Sequence, residues 1–121
     1  MKMDTPKNET DFSGAVKRSM QVRKLYHELE KRKHGGAWTK QEDMIGFVYD
    51  VGELGRMVMA SEGRWMHQGD LDKDLGDKLA ECLWWLFVLS DRLGIDINTA
   101  FASKMGELEE SLSSSLGNTT E

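Results

Sequence analysis

The segment CLWWLFVL, residues 82–89, decides how this chain folds, because it is the longest unbroken apolar run in the sequence. It lies in the second half of a stretch, about residues 71–93, whose spacing predicts a helix. A helix that is apolar on every side has to be covered on every side. We therefore expect a helical bundle, closed either by the chain itself or by a second subunit.

Three further helix-like segments accompany this one, and no part of the chain shows the alternation of a strand. The first spans about residues 13–34 and stops at two glycines. The second begins at a capping box, in which Thr39 and Glu42 each satisfy a backbone N–H of the other, and it ends at a glycine. Asp96 or Asn98 can cap the fourth. The sequence thus predicts an all-α, four-helix bundle.

The two ends of the chain differ in composition from the region between them. Residues 1–12 are polar without periodicity, and residues 113–121 belong to a Ser/Thr-rich stretch. Such segments bury too little apolar surface to hold a fixed structure. We expect one helical domain over residues 13–112, flanked by two flexible tails.

Composition limits the partners and the compartment. A net charge of −5 argues against nucleic acid as a partner, because such binding depends on Lys and Arg neutralising phosphates. The longest apolar run is far shorter than the roughly 20 residues that a membrane-spanning helix needs. With a single cysteine, Cys82, and no apolar leader at the N-terminus, we expect a cytoplasmic protein without membrane contact.

Two pairs of carboxylates lie beside apolar stripes on adjacent predicted helices. Asp50 and Glu53 are three residues apart on the second helix, and Asp77 and Glu81 are four apart on the third. If these helices pack antiparallel, the pairs meet, and they repel each other unless protons, basic residues or a divalent cation compensate. Oxygen ligands suit Mg²⁺ or Mn²⁺, which bind phosphates of substrates. The pattern predicts a magnesium site, or else two ordinary solvent-exposed acidic pairs.

The phrases that surround these carboxylates carry a resemblance to a known family. GFVYDVGELGRMVMASEG, residues 46–63, is followed by LGDKLAECLWWLFVLSDRLGIDINTAFASKM, residues 75–105. Over about residues 22–110 the chain resembles the MazG-like branch of the all-α nucleoside triphosphate pyrophosphohydrolases. The resemblance implies a four-helix bundle that forms a homodimer or a dimer of dimers, binds Mg²⁺ and cleaves a nucleotide between its α- and β-phosphates.

The resemblance also implies roles for particular acidic residues. Asp50 and Glu53 match the first acidic pair as metal ligands, and Glu53 would orient or deprotonate the attacking water. In the second pair Glu81 stands where the family has Asp, and Lys78 stands where it has Glu. An ammonium group cannot bind a metal ion. Asp77, the remaining candidate metal ligand, points about 100° away from position 78 around the helix.

Three residues are candidates for contact with the nucleotide itself. Lys104 matches the family's lysine in the last helix, which meets phosphate, and Lys78 is a second cation near the acidic pairs. Trp84, or its neighbour Trp85, would stack on the base. The alternative interpretation of both tryptophans is packing in the core or at an interface.

These features lead to three hypotheses. The first is a Mg²⁺-dependent (or Mn²⁺-dependent) pyrophosphohydrolase that converts a nucleoside or deoxynucleoside triphosphate to monophosphate and pyrophosphate. The second is a catalytically degenerate relative that keeps the bundle and nucleotide binding but has lost hydrolysis through Lys78. The third is an oligomeric interaction protein whose apolar third helix binds a different partner.

Overall fold

A computed structural model describes residues 11–119, except for the side chains of residues 34, 118 and 119. This part of the chain forms four helices and no strand, which confirms the predicted all-α class. The helices are α1 (Phe12–His34), α2 (Lys40–Ser61), α3 (Leu71–Arg92) and α4 (Ile97–Thr119).

Local side-chain hydrogen bonds fix where the helices begin. The capping box at the start of α2 is present, with Thr39 and Glu42 each accepting a backbone N–H from the other. Asp96, not Asn98, caps α4, because its carboxylate accepts the backbone N–H of Thr99 at 3.1 Å. The glycine after α1, Gly35, adopts a left-handed φ of 79°, which a residue with a Cβ disfavours.

The predicted domain boundaries differ from the ends of the helices. Residues 1–10 of the predicted N-terminal tail lie outside the described residues, and Phe12, its last residue, already belongs to α1. At the other end α4 runs through to Thr119, past residue 112, where the predicted helical domain ends. Serine is compatible with a helix when its side chain faces water, so composition alone did not locate this end.

The third helix lies at the centre of the described residues. It packs against each of the other three helices. The buried apolar residues of the described chain all belong to it, namely Cys82, Trp85, Phe87 and Val88. α2 runs antiparallel to α3, because residue numbers rise along one helix as they fall along the other in the pairs Asp43/Arg92, Gly46/Trp85 and Asp50/Lys78.

A glycine allows α2 and α3 to approach each other closely. A Cβ at Gly46 would lie 2.7 Å from the Trp85 ring, nearer than real Cβ contacts allow. The same Cβ would lie 3.3 Å from the ring of Trp38. The absence of a Cβ at Gly46 therefore allows the close spacing of the two helices and leaves room for both indoles.

Six apolar residues recur at helical spacing along α2, and the stripe that they form is only partly buried: Met44, Phe47, Val48, Val51, Leu54 and Val58. Four of its six residues are exposed in the single chain: Met44, Val48, Val51 and Val58. Leu83 and Leu86 on α3 are also exposed, and so is every side chain from residue 98 to residue 117 on α4. The single chain therefore leaves these apolar residues uncovered.

None of the helices formed by residues 11–119 is long and apolar enough to span a lipid bilayer.

Candidate functional site

Three of the predicted acidic residues converge on one ammonium group. Lys78 on α3 places its Nζ 3.1 Å from Oδ1 of Asp50, 3.3 Å from Oε2 of Glu81 and 3.7 Å from Oε1 of Glu53. The second oxygen of Asp50 accepts the indole N–H of Trp85 at 2.6 Å. We call Asp50, Glu53, Lys78 and Glu81 the lysine cluster.

The carboxylates of the lysine cluster compensate the charge of Lys78 inside the protein. The Lys78 side chain is only 11% exposed, and burial by itself lowers the pKa of its amine. Hydrogen bonds to Asp50 and Glu81 outweigh burial and raise the pKa of Lys78 above its ordinary value. The side chain is therefore a permanent cation at physiological pH, and the three carboxylates share its charge.

This arrangement does not fit a divalent cation. The Lys78 ammonium lies among the oxygens that Mg²⁺ would need, and it remains charged, so it would repel the ion. Across the part of the chain that the structure describes, no three His, Cys, Asp or Glu side chains form a group able to hold a metal ion. Magnesium and manganese therefore remain predictions from the resemblance, and the residues as arranged do not favour them.

Two other predicted site residues lie apart from the lysine cluster. Asp77 is 58% exposed and accepts a hydrogen bond from Lys73 at 2.7 Å, on a different side of α3 from Lys78. Lys104 is exposed on α4, where its nearest carboxylate is that of Glu107 at 4.0 Å. In a single chain, neither is positioned to act with Asp50 and Glu53.

A cavity of about 510 Å³ opens beside the lysine cluster and between α1, α2 and α3. Its size is in the range of small-molecule sites. We call it the aromatic cavity, because four of its lining residues carry aromatic rings. The lining consists of Val22, Arg23, Tyr26, Glu30, Trp38, Asp50, Ala80, Glu81, Trp84 and Trp85.

The aromatic rings of the cavity contact one another in a chain. Tyr26 and Trp84 have centroids 5.6 Å apart, and Trp84 meets Trp85 edge to face at 4.6 Å. Trp85 in turn lies nearly parallel to Trp38 at 6.5 Å. The indole N–H of Trp84 donates to the carbonyl oxygen of Ser19 at 3.1 Å, which fixes its orientation. Both Trp84 and Trp85 line the cavity, and Trp85 is also part of the core. Stacking of Trp84 on a base stays a prediction.

Sequence reasoning missed the contribution of α1 to the cavity. Arg23, Tyr26 and Glu30 all line it. Their spacing of three and four residues places them on one face of a helix, and this signal was present in the sequence. It was hidden because the apolar residues Val22, Leu25 and Leu29 suggested a buried face, although the structure leaves all three exposed.

Behind the cavity lies a second charged cluster, which we call the arginine network. Asp43 on α2 is fully buried and accepts hydrogen bonds from Arg23 at 2.9 Å and from Arg92. Arg23 also pairs with Glu30, which accepts the backbone N–H of Trp38 at 2.8 Å. The network therefore ties α1, α2 and α3 together at the cavity wall.

Two polar atoms beside the network lack hydrogen-bond partners. Nε of Arg23 and Nε2 of His27 are both buried, and neither has a partner among the described residues. Burial, followed by the charge of Arg23, lowers the pKa of His27. Burial raises the pKa of Glu30, but its hydrogen bonds from Arg23 and Trp38 lower it further than burial raises it. At neutral pH, therefore, His27 is a neutral imidazole and Glu30 is an ionised carboxylate.

Comparison with known proteins does not assign this site to a family. No protein-family model, no curated protein and no solved structure matches the chain. The site therefore consists of the lysine cluster and, beside it, an aromatic cavity whose lining includes acidic side chains.

Proposed function

We propose that this chain is a catalytically degenerate, MazG-like protein that binds a nucleotide or its planar base in the aromatic cavity without metal-dependent hydrolysis. The observation that carries the proposal is the position of Lys78, within 3.3 Å of Asp50 and Glu81 and 3.7 Å from Glu53. A cation built into the chain performs the charge compensation for which the family would use a metal ion.

The cavity supports a binding role. Four aromatic rings and a volume of about 510 Å³ give a planar ligand room and surfaces on which to stack. Two of the rings are held by hydrogen bonds, from Trp84 to Ser19 and from Trp85 to Asp50, so these two are ordered before a ligand arrives. Such preorganisation lowers the entropic cost of binding.

The exposed apolar residues support assembly into a homodimer or a dimer of dimers. α2 exposes Ile45 and Val48, and α3 exposes Leu83 and Leu86. Large contiguous apolar patches on a protein surface commonly mark interfaces. Sedimentation velocity tests this part of the proposal: we expect an oligomer, and Leu83→Glu should dissociate it, whereas the matched change Lys73→Glu should not. A monomeric wild type would contradict it.

Mg²⁺-dependent hydrolysis of nucleoside triphosphates is the second candidate function. The observation in its favour is that Asp50, Glu53 and Glu81 come together across α2 and α3, as the family's pattern implies. Hydrolysis would require the Lys78 side chain to leave these carboxylates, because a metal ion and an ammonium group cannot share them.

Pyrophosphate release decides between the two functions. Wild type, Lys78→Glu and Glu53→Gln are assayed with ribo- and deoxyribonucleoside triphosphates and Mg²⁺ or Mn²⁺. We expect no turnover by wild type, and Mg²⁺ binding by Lys78→Glu in calorimetry, because that change removes the resident cation and adds an oxygen ligand. Turnover by wild type that Glu53→Gln abolishes would establish the hydrolase and overturn the proposal.

A further inference from the structure

The charge of the aromatic cavity restricts what it can bind. Three carboxylates, Glu30, Asp50 and Glu81, line it together with a single guanidinium group, that of Arg23. We propose that the cavity binds a planar aromatic ligand that carries a positive charge and no phosphate. This inference rests on the proposed function, since it concerns the same cavity, and of the two ligands named there it selects the planar base, in a positively charged form, over the phosphorylated nucleotide.

The cations near the cavity are already neutralised. Arg23 is 1% exposed, and its terminal nitrogens donate to Glu30 and Asp43. Lys78 is shared among Asp50, Glu53 and Glu81. Both positive charges are therefore already compensated by carboxylates, and neither is available to bind a phosphate group. Glu81 is 52% exposed beside the cavity, so an incoming anion meets a carboxylate, whereas an incoming cation is attracted to it.

The aromatic rings favour the same kind of ligand. The faces of tryptophan and tyrosine rings are negative, and they attract cations, most strongly where water is excluded. Trp84 and Trp85 use their indole N–H groups on Ser19 and Asp50, so these polar edges are occupied. The rings consequently offer a ligand apolar contact and a negative electrostatic surface.

The buried guanidinium adds one requirement for the ligand. Nε of Arg23 has no hydrogen-bond partner among the described residues, and Arg23 lines the cavity. An unpaired buried donor is costly, and an acceptor on the ligand would relieve that cost. We therefore expect a heteroaromatic cation that also bears a carbonyl or a similar acceptor.

Three probes of matched shape and different charge test the proposal. They are 1-methylnicotinamide, a planar cation with a carbonyl group; nicotinamide, its neutral counterpart; and nicotinate, an anion. Binding is followed by NMR through the indole N–H signals of Trp84 and Trp85. We expect the cation to bind about five- to tenfold more tightly than the neutral probe, in keeping with a partly exposed cation–π contact, and nicotinate not to bind.

Two variants, each paired with a control variant, test whether the probes bind in the cavity. Ala80→Phe fills the cavity and should abolish binding of the cation, whereas Ala102→Phe, on the exposed surface of α4, should leave binding unchanged. Glu81→Gln should weaken the cation about threefold, given its partial exposure to water, without changing the affinity for nicotinamide. Glu109→Gln, on α4, is the matched control for charge.

The outcomes separate this inference from the function on which it rests. Equal binding of nicotinamide and the cation, an unaffected Ala80→Phe variant, or no signal shift with any probe would overturn the inference. Tighter binding of a nucleoside triphosphate without metal would also overturn it but would leave the proposed function standing. Pyrophosphate release by the wild-type protein would instead remove the proposed function.

Discussion

The arginine network and the lysine cluster are built from the same kinds of residue but differ in burial and in the cation. In the arginine network, Asp43 is fully buried and has two guanidinium partners, Arg23 and Arg92. In the lysine cluster, Asp50 has one ammonium partner, and its neighbours Glu53 and Glu81 are partly exposed. The first is a structural joint between three helices, and the second opens onto the cavity.

A guanidinium group and an ammonium group suit different roles in these two clusters. A guanidinium group is planar, remains charged and donates in a fixed fork, which suits a permanent buried pair. An ammonium group is a compact point charge that holds several carboxylates without fixing their geometry. Replacing Lys78 therefore changes what the cluster can bind, whereas replacing a member of the arginine network changes whether the helices pack.

The largest effect should come from breaking the arginine network. Asp43→Ala leaves the guanidinium groups of Arg23 and Arg92 without their shared carboxylate, and we expect a loss of about 3–5 kcal/mol of unfolding free energy. Urea denaturation followed by circular dichroism measures it. The control Asp77→Ala removes an exposed carboxylate and should change stability by less than about 1 kcal/mol. Similar losses in both variants would show that the buried arginine network contributes no more to stability than an exposed ion pair.

The contact between Gly46 and Trp85, which lies between the two clusters, should give the second largest effect on stability. Gly46→Ala places a Cβ 2.7 Å from the Trp85 ring and should cost about 1–3 kcal/mol through overpacking. Gly52→Ala on the same helix meets nothing within 4 Å, and it should stabilise the protein by about 0.5–1 kcal/mol through helix propensity. If Gly46→Ala is as stable as Gly52→Ala, the close approach of α2 and α3 does not fix the site.

Removing the cation of the lysine cluster should have an effect of similar size that depends on the presence of magnesium. Lys78→Met leaves Asp50 with only the Trp85 indole, and we expect a loss of about 1–3 kcal/mol in metal-free buffer. Magnesium chloride should raise the thermal midpoint of this variant and leave wild type unchanged, because ligand binding stabilises the folded state. Lys73→Met is the exposed control. A wild type that responds to magnesium as strongly as the variant would contradict the role of Lys78.

The smallest effect concerns pH at the edge of the arginine network. Burial and the nearby charge of Arg23 lower the pKa of His27 in the folded state. Below the ordinary histidine pKa of about 6.5 the unfolded chain therefore binds the proton more readily, and stability falls as the pH falls. His27→Gln should reduce the loss of unfolding free energy between pH 7.5 and 5.5. An unchanged slope in that interval would show that His27 is not the titrating group.

The local features of the fold were accessible from the sequence. The capping box of Thr39 and Glu42 and the cap at Asp96 involve residues three apart, so no distant part of the chain is needed to specify them. The meeting of Asp50 with Glu81 was also expected, once α2 and α3 were taken as antiparallel. The partner of Asp43 was not, because a buried carboxylate on an amphipathic helix looks the same in sequence as an exposed one.

The sequence by itself determined that residues 11–119 form four helices and that α3 carries the longest apolar run, because periodicity and capping act over single helical turns. Only the tertiary structure decided that Lys78 lies among three carboxylates, that Arg23 joins Asp43, and that α1 completes an aromatic cavity. These pairings depend on the rotation and spacing of whole helices. That spacing is set by the packing of Trp85 on Gly46, residues that are 39 positions apart in the chain.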